Sequence, residues 1–402
     1  QGVWMLRIHM SFPLAFGPRL QAWKENGEEE MILNVSSSPH IHSKNRTDKA
    51  MLYVILALLP ATFWGVYVFG LHALLVVLVS IGASVLSEYL LGLVSKEFTL
   101  PDLSAIVTGL LVGMNMPPEI NILIPMLASF FAIAVAKWTF GGLGANWMNP
   151  ALAGRVFVFF SFTSQMSSFS LPRTLLKSAS SLSASGMTNS IVPDVFSGAT
   201  PLSVLKTGLS MGAGSDQFSM LSGRPITDFA LKIGSCLNID PYAVDAFFGN
   251  CAGCIGEVSA LLLILGGIFL LIMKVINWRI PVFYIGSFSI LVWAFGGIPY
   301  GNGLFSGEIL LPVFSGGLML GAFFMATDWV TTPTTPKGEI VFALGCGFFT
   351  FLFRYFGSLP EGVSLAILLM NIVTPTIDRY IKTRKFGYVK PIKEKSAKEA
   401  KA

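Results

Sequence analysis

Charge is what this chain has least of. Asp, Glu, Lys and Arg make up 12% of its 402 residues, against 53% hydrophobic residues, whereas a soluble domain carries about a quarter charged residues. The shortage argues against a soluble globule and for a chain solvated largely by lipid. Sulfur and imidazole are nearly as sparse. Four cysteines (Cys236, Cys251, Cys254, Cys346) and four histidines (His9, His40, His42, His72) are too few and too scattered for a dedicated metal cage. Cys251 and Cys254 form a C-x-x-C where an apolar run begins. With no second Cys/His pair at ligand spacing, they read as two small residues at a helix entrance, a redox or disulfide pair being the sharper alternative.

Nucleotide chemistry is missing too. The sequence holds no Walker motif and no nucleophile-base-orienter set. Its run Gly141-Gly142-Leu143-Gly144-Ala145-Asn146 lacks the G-x-G-x-x-G spacing and comes after an apolar run instead of a strand. It is read as a tight cytoplasmic turn whose amides line a pocket. The net charge of +5 does not point to nucleic acid: Lys and Arg sit in short runs beside apolar segments, and the tail from Lys382 to Lys401 reads as solvated.

What the chain has in quantity is apolar runs. Ten can be counted, at 51–69, 72–94, 103–116, 121–138, 147–162, 255–273, 280–297, 308–327, 339–356 and 361–380, most of them near the roughly 20 residues that cross hydrocarbon. The third and fifth are short and interrupted, by Gly109, Gly113, Pro117 and Pro118 and by Pro150 and Gly154. The eighth and tenth carry breaks at Gly316, Gly317, Gly321 and Pro375. If every run spans, Lys44, Arg46, Lys49, Lys96, Lys137, Lys274, Arg279, Lys337, Arg379, Lys382, Arg384 and Lys385 all fall on one side. By the positive-inside rule both termini are then cytoplasmic.

The expected fold is an all-α polytopic membrane protein of about ten transmembrane helices in two inverted five-helix halves. A cytoplasmic N-terminus (31–50) leads to the first half (51–162), an extracytoplasmic loop (163–250), the second half (251–380) and a basic cytoplasmic tail (381–402). Met116-Pro117-Pro118 with Asn149-Pro150 after it, and Thr332-Pro333 with Pro360-Glu361 after it, echo one another across the halves. Broken helices in matching places of inverted halves are where transport folds put midplane sites. Residues 1–30 lack the apolar core and cleavage site of a signal peptide. Gly27-Glu28-Glu29-Glu30 before Met31 matches purine-rich codons of a ribosome-binding site, so Met31 is the expected natural start and 1–30 translated upstream sequence.

Charge inside such runs must face protein, a partner or water. Glu88 sits mid-run, where an ion path or a structural pair is expected. Asp328, Glu361 and Asp378 lie at run ends, where interfacial solvation is the plainer reading, and Glu257, Glu308 and Arg354 also occur in or beside runs. Arg155 pairs with Glu88, holds an anionic ligand, or snorkels to the interface. In the long loop, Asp194-Val195-Phe196-Ser197-Gly198-Ala199-Thr200 makes a small-residue turn. Gly198 and Ala199 leave room for a bulky group, and Pro201 stiffens the exit. A Thr hydroxyl is a weak nucleophile, so Thr200 needs an outside activator or a modifying enzyme. Weakly amphipathic stretches near 200–206 and 226–234 predict short helices packed on the membrane surface.

Six motifs in order carry a resemblance over about residues 31–388: Ser36-Ser37-Ser38-Pro39-His40; Gly141-Gly142 through Asn149-Pro150-Ala151-Leu152-Ala153-Gly154-Arg155; Asp194 to Thr200; Gly256-Glu257-Val258-Ser259; Phe324-Met325-Ala326-Thr327-Asp328; and Pro360-Glu361-Gly362. Together they resemble the RnfD/NqrB family, which unites a membrane component of the Rnf complex with one of the sodium-translocating NADH:quinone oxidoreductase. The Rnf side is favoured, because the quinone-reducing homologue carries a large insertion where Gly70 here passes straight into Leu71-His72. The resemblance implies FMN joined through its phosphate to Thr200 by a flavin transferase that reads Asp194, Ser197, Gly198, Ala199 and Thr200. It implies a second, non-covalent riboflavin, for which Asn146, Asn149 and Arg155 are the expected pocket, and an ion path through Glu88, Asp328, Glu361 and Asp378.

The activity it implies is electron relay in a ferredoxin:NAD oxidoreductase coupled to Na⁺ or H⁺ translocation in a bacterial inner membrane. Expected partners are the flavin-carrying G component of the Rnf complex, its A and E membrane components, the transferase and membrane lipid, with no nucleic acid. A C-x-x-C at Cys251 is not required by the family pattern. The alternatives are the quinone reductase component and, from another class, a solute permease in which the turn at Thr200 is incidental and no flavin is bound.

Overall fold

The computed structural model describes residues 47–96, 99–173, 175, 200–210, 226–301, 303–357 and 362–382, the side chains of 207–210 apart. They belong to one unit, Asn45–Ala402. Regular structure among them is helical. Two long helices open the chain, α1 (Thr47–Phe69) and α2 (Leu71–Ser95). Then come α3 (Ser104–Met114), α4 (Leu123–Phe131), continued by a π-helical turn at Ala132–Lys137, and α5 (Pro150–Ser161). The interval between the halves holds α6 (Pro201–Ser210), α7 (Asp228–Leu237) and α8 (Pro241–Phe248). The second half contains α9 (Ala260–Ile272), α10 (Arg279–Phe295), α11 (Leu310–Phe314), a second π-helical turn at Gly321–Met325, α12 (Pro336–Tyr355) and α13 (Val363–Tyr380).

Among the described residues, five helical stretches are long and apolar enough to cross a membrane: Thr47–Phe69, Leu71–Ser95, Leu123–Phe140, Arg279–Tyr300 and Pro336–Tyr355. Three shorter apolar helices, α3, α5 and α9, stand among them. At 1.5 Å per residue, the 11 residues of α3 cover about half of the hydrocarbon. The break expected in the eighth run is present, but α3 runs unbroken through Gly109 and Gly113 and α5 through Gly154; Pro117 and Pro118 follow the end of α3, and Pro150 opens α5. The eighth divides into α11 and the π-helical stretch at Gly316 and Gly317, whose φ values of +69° and +67° end any right-handed helix. The tenth run differs from expectation, because α13 continues through Pro375 to Tyr380. A proline removes one backbone bond, and the flanking turns of a packed helix hold the axis.

Small residues set the packing. A Cβ added to Gly109 on α3 would stand 2.7 Å from the Ile81 Cα, and one on Gly266 of α9 2.5 Å from the Ala57 carbonyl oxygen. α2 with α3, and α1 with α9, therefore meet backbone to backbone, as helices do where lipid supplies no hydrophobic drive. α2 meets α3 and α4, as α10 meets α12 and the second π turn; α4 then meets α5, as α12 meets α13. These pairings of the first half thus have counterparts in the second.

Several long-range hydrogen bonds group in two sets at opposite ends of the helices. One joins Trp329 Nε1 to the Val275 carbonyl (2.7 Å), Asn149 Nδ2 to the Met325 carbonyl (3.2 Å) and Arg279 to Glu339 (2.9 Å). The other joins Trp64 Nε1 to the Gly249 carbonyl (3.1 Å), His72 Nδ1 to the Pro118 carbonyl (2.8 Å) and the Ile255 amide to the Met116 carbonyl (3.1 Å).

Candidate functional site

At the first of these ends lies a cavity of about 350 Å³ between the two halves, within the range of small-molecule sites. Its walls are mostly apolar, with Val54, Leu111, Phe323 and Phe324 prominent, and its polar groups are few: Thr47, Ser104, Thr108, Lys137, Asn146, Asn149, Thr327 and Asp328. Irregular backbone places several of them. Gly141, Gly142 and Gly144 have φ of +108°, +86° and +95°, a path open to glycine, and the turn they form delivers Gly144 and Asn146 to the wall. Asn149 caps α5: its Oδ1 accepts from the Ala151 amide at 3.0 Å, and Pro150 occupies the first turn. Both π turns end at the cavity, one carrying Lys137 and the other Phe323 and Phe324. Such turns recur at functional sites because the extra residue re-aims the next stretch of helix.

The expected riboflavin residues divide. Asn146 and Asn149 line the cavity, and Arg155 does not. Its Nη1 donates to Asn115 Oδ1 (2.9 Å) and Ser364 Oγ (2.8 Å), while its Nη2 lies 3.4 Å from Glu257 Oε1 and 3.7 Å from Cys254 Sγ. Arg155 therefore pairs with Glu257, and the expected pairing with Glu88 is replaced. Glu88 instead holds Lys137, at 2.7 and 2.8 Å from its two oxygens. In the sequence Lys137 served only as an orienting charge at the end of a run. The signal for more was one buried carboxylate with no basic residue inside its own run.

Among the expected ion-path residues, Glu88 and Asp328 gather at this end. Asp328 accepts from Thr331 Oγ1 at 3.3 Å and from the Asn146 side chain, and desolvation in the turn after the eighth run raises its pKa to about 6. Asp378 takes the Thr334 amide at 3.1 Å and is more exposed. Glu361 lies outside the described residues, as do Asp194, Ser197, Gly198 and Ala199.

Thr200 is described, buried and 3% exposed. It caps α6: the Ser203 amide donates to its Oγ1 at 3.2 Å, and Ser203 Oγ to its carbonyl at 2.8 Å. Its hydroxyl stands at the positive end of the α6 dipole. α6 seats on the second half. Leu205 packs with Tyr242, Ala246 and Leu311, and Lys206 Nζ donates to the Arg354 carbonyl at 3.3 Å. Arg354 in turn holds the broken eighth run by donating to the carbonyls of Pro312 (2.6 Å), Ser315 (3.2 Å) and Gly316. None of the four cysteines is in a disulfide; Cys254 is buried and Cys251 half-buried.

Long apolar helices, broken half-helices and a cavity between two like halves define a polytopic helical membrane protein with an internal cavity. The chain belongs to the NQR2, RnfD, RnfE family, whose sequence model matches residues 34–387. It is similar to the D subunit of the proton-translocating ferredoxin:NAD(+) oxidoreductase complex of Clostridium ljungdahlii, 43% identical over 89% of this chain and 96% of that one. It is similar also to the D subunit of the Na(+)-translocating ferredoxin:NAD(+) oxidoreductase complex of Acetobacterium woodii, 40% identical over 92% and 99%. The D subunit of the ion-translocating oxidoreductase complex of Stutzerimonas stutzeri is 37% identical over 86% and 93%.

Proposed function

We propose that this chain is the D subunit of an Rnf-type complex, a ferredoxin:NAD oxidoreductase that couples electron transfer to Na⁺ or H⁺ movement. Its part is electron relay through FMN esterified to Thr200, with riboflavin in the cavity. The observation that carries the reading is Thr200 itself, a buried hydroxyl capping a helix that is seated on the second half. A flavin so tethered supplies reversible one- and two-electron chemistry, and the protein's share is position and electrostatics. The N-terminus of α6 directs amides at the phosphate, while Lys206 and Arg354 fix that helix against the broken eighth run. In the cavity, Phe323 and Phe324 offer stacking faces, and Asn146 and Asn149 offer amides to a polar ring edge. Glu88, Asp328, Asp378 and Glu361 serve the ion path.

The proposed layout has ten crossings of a bacterial inner membrane, cytoplasmic termini and cavity, and Thr200 with 163–250 outside. It includes assembly with the G, A and E components of the complex, and maturation by a flavin transferase. The long-range bonds that group at two opposite ends support that layout. Fluorescence of the denatured chain in a gel, expressed with the transferase, tests the tether. The wild-type band is expected to glow under ultraviolet light and the Thr200→Ala band to stay dark. A dark wild-type band would favour a flavin-free permease.

A further inference from the structure

The Glu88–Lys137 pair is built like a cation site whose cation is attached to the chain. The Lys137 ammonium stands 2.7 and 2.8 Å from the two Glu88 oxygens and 2.8 Å from Ser104 Oγ, so three N–H donors meet three oxygens. Thr99 Oγ1 donates to Glu88 Oε1 at 2.6 Å and steadies the carboxylate. The two charged side chains are 3% and 1% exposed. The other well-formed pair at this end, Arg279–Glu339, is 32% and 9% exposed. Yet Lys137 and Ser104 also line the large cavity, with Thr108 one helical turn along from Ser104. A buried pair made only for stability gains little over apolar residues of the same volume, and this one stands in the wall of a cavity at the end of a π turn.

We propose that Glu88 and Ser104, steadied by Thr99, form a binding site for a small monovalent cation, with Lys137 as its tethered competitor. With the lysine in place the ammonium fills the site. When the side chain swings into the cavity, a cation from the cavity side replaces it and the carboxylate stays paired throughout. Charge balances in the exchange: one positive charge leaves the carboxylate as another arrives. The proposal deepens the ion-path reading of Glu88 and rests on it.

The test uses the detergent-solubilised complex, heated and probed for this chain remaining soluble. NaCl, KCl, methylammonium chloride and choline chloride are compared at equal ionic strength. Lys137→Ala is expected to be protected by Na⁺ or methylammonium in a saturable way that choline does not reproduce, at a tenfold or greater lower concentration than any effect on wild type. Adding Glu88→Gln to it should abolish that protection. Lys137→Gln, which keeps the volume and loses the charge, should respond as Lys137→Ala does. Equal protection by choline and Na⁺, no protection, or failure of both single variants to assemble in any of these salts would overturn the proposal. Ion-gradient formation separates the two readings. If Lys137→Ala binds cation selectively while the Glu88→Gln complex pumps at the wild-type rate, the site stands and Glu88 is removed from the path.

Discussion

Arg155 ties together four pieces of chain that the sequence keeps far apart. From α5 it reaches Asn115 beyond α3, Cys254 and Glu257 before α9, and Ser364 on α13. A flexible point charge cannot reproduce that planar fork, so Arg155→Lys should lower the melting temperature of the chain measurably and Arg155→Ala should lower it further. Equal melting of all three would remove the network's structural role. Asp328 gives a pH signature. Its folded pKa of about 6 lies above the ordinary value of 3.8, so its contribution is present below about 3.8 and is lost as pH rises through about 6. Melting curves of wild type and Asp328→Asn should therefore shift in favour of the variant between about pH 4 and pH 6 and level off above that. A difference that stays flat across that range would contradict the desolvated placement. That Glu88 is buried was legible, because a carboxylate amid apolar neighbours has few other options. Which cation meets it was not, because Lys137 stands 49 residues away and such partners are fixed by helix packing.

Among the elements, the apolar runs and the break at Gly316 and Gly317 were legible from composition, whereas Gly109, Gly113 and Gly154 sit inside unbroken helices. Ser-Gly spacing on α2 and α3 predicted nothing specific, yet it sets how closely those helices approach. The contrast between Gly109 and Gly82 makes this testable. Nothing lies within 4 Å of a Cβ added at Gly82, so Gly82→Ala should be neutral or stabilise by up to about 1 kcal/mol. Gly109→Ala forces α2 and α3 apart and should cost about 1 to 3 kcal/mol. Thermal unfolding of the two variants in one detergent checks the difference. The π turns were not legible: a run such as Ala132–Lys137 reads as ordinary helix, and its register depends on what neighbouring helices demand of Lys137. Pro375 misled in the other direction, since a local helix breaker was overruled by packing along the rest of α13.

For the whole molecule, charge asymmetry predicts which ends lie together, and the bonds between those ends agree with that grouping. The cysteines turn the proposed sidedness into a measurement. Cys236 on α7 is exposed, whereas Cys254 and Cys346 are buried. A membrane-impermeant maleimide added to intact spheroplasts should label Cys236 from outside and leave Cys254 and Cys346 unlabelled. Labelling of Cys236 only after permeabilisation would invert the layout. What remained illegible at this scale is the cavity, because its walls come from both halves and each stretch alone reads as a helix end or a turn.

The burial of Thr200 has a consequence in time. A hydroxyl in a residue 3% exposed and engaged as a helix cap offers no approach to another protein's active site. If an enzyme esterifies it, the reaction must come before α6 docks or during an excursion from that seat. Maturation would then be a race between modification and folding. In a pulse-chase experiment, delaying synthesis of the transferase until after the chain has folded should leave a fraction that stays unmodified however long the chase runs.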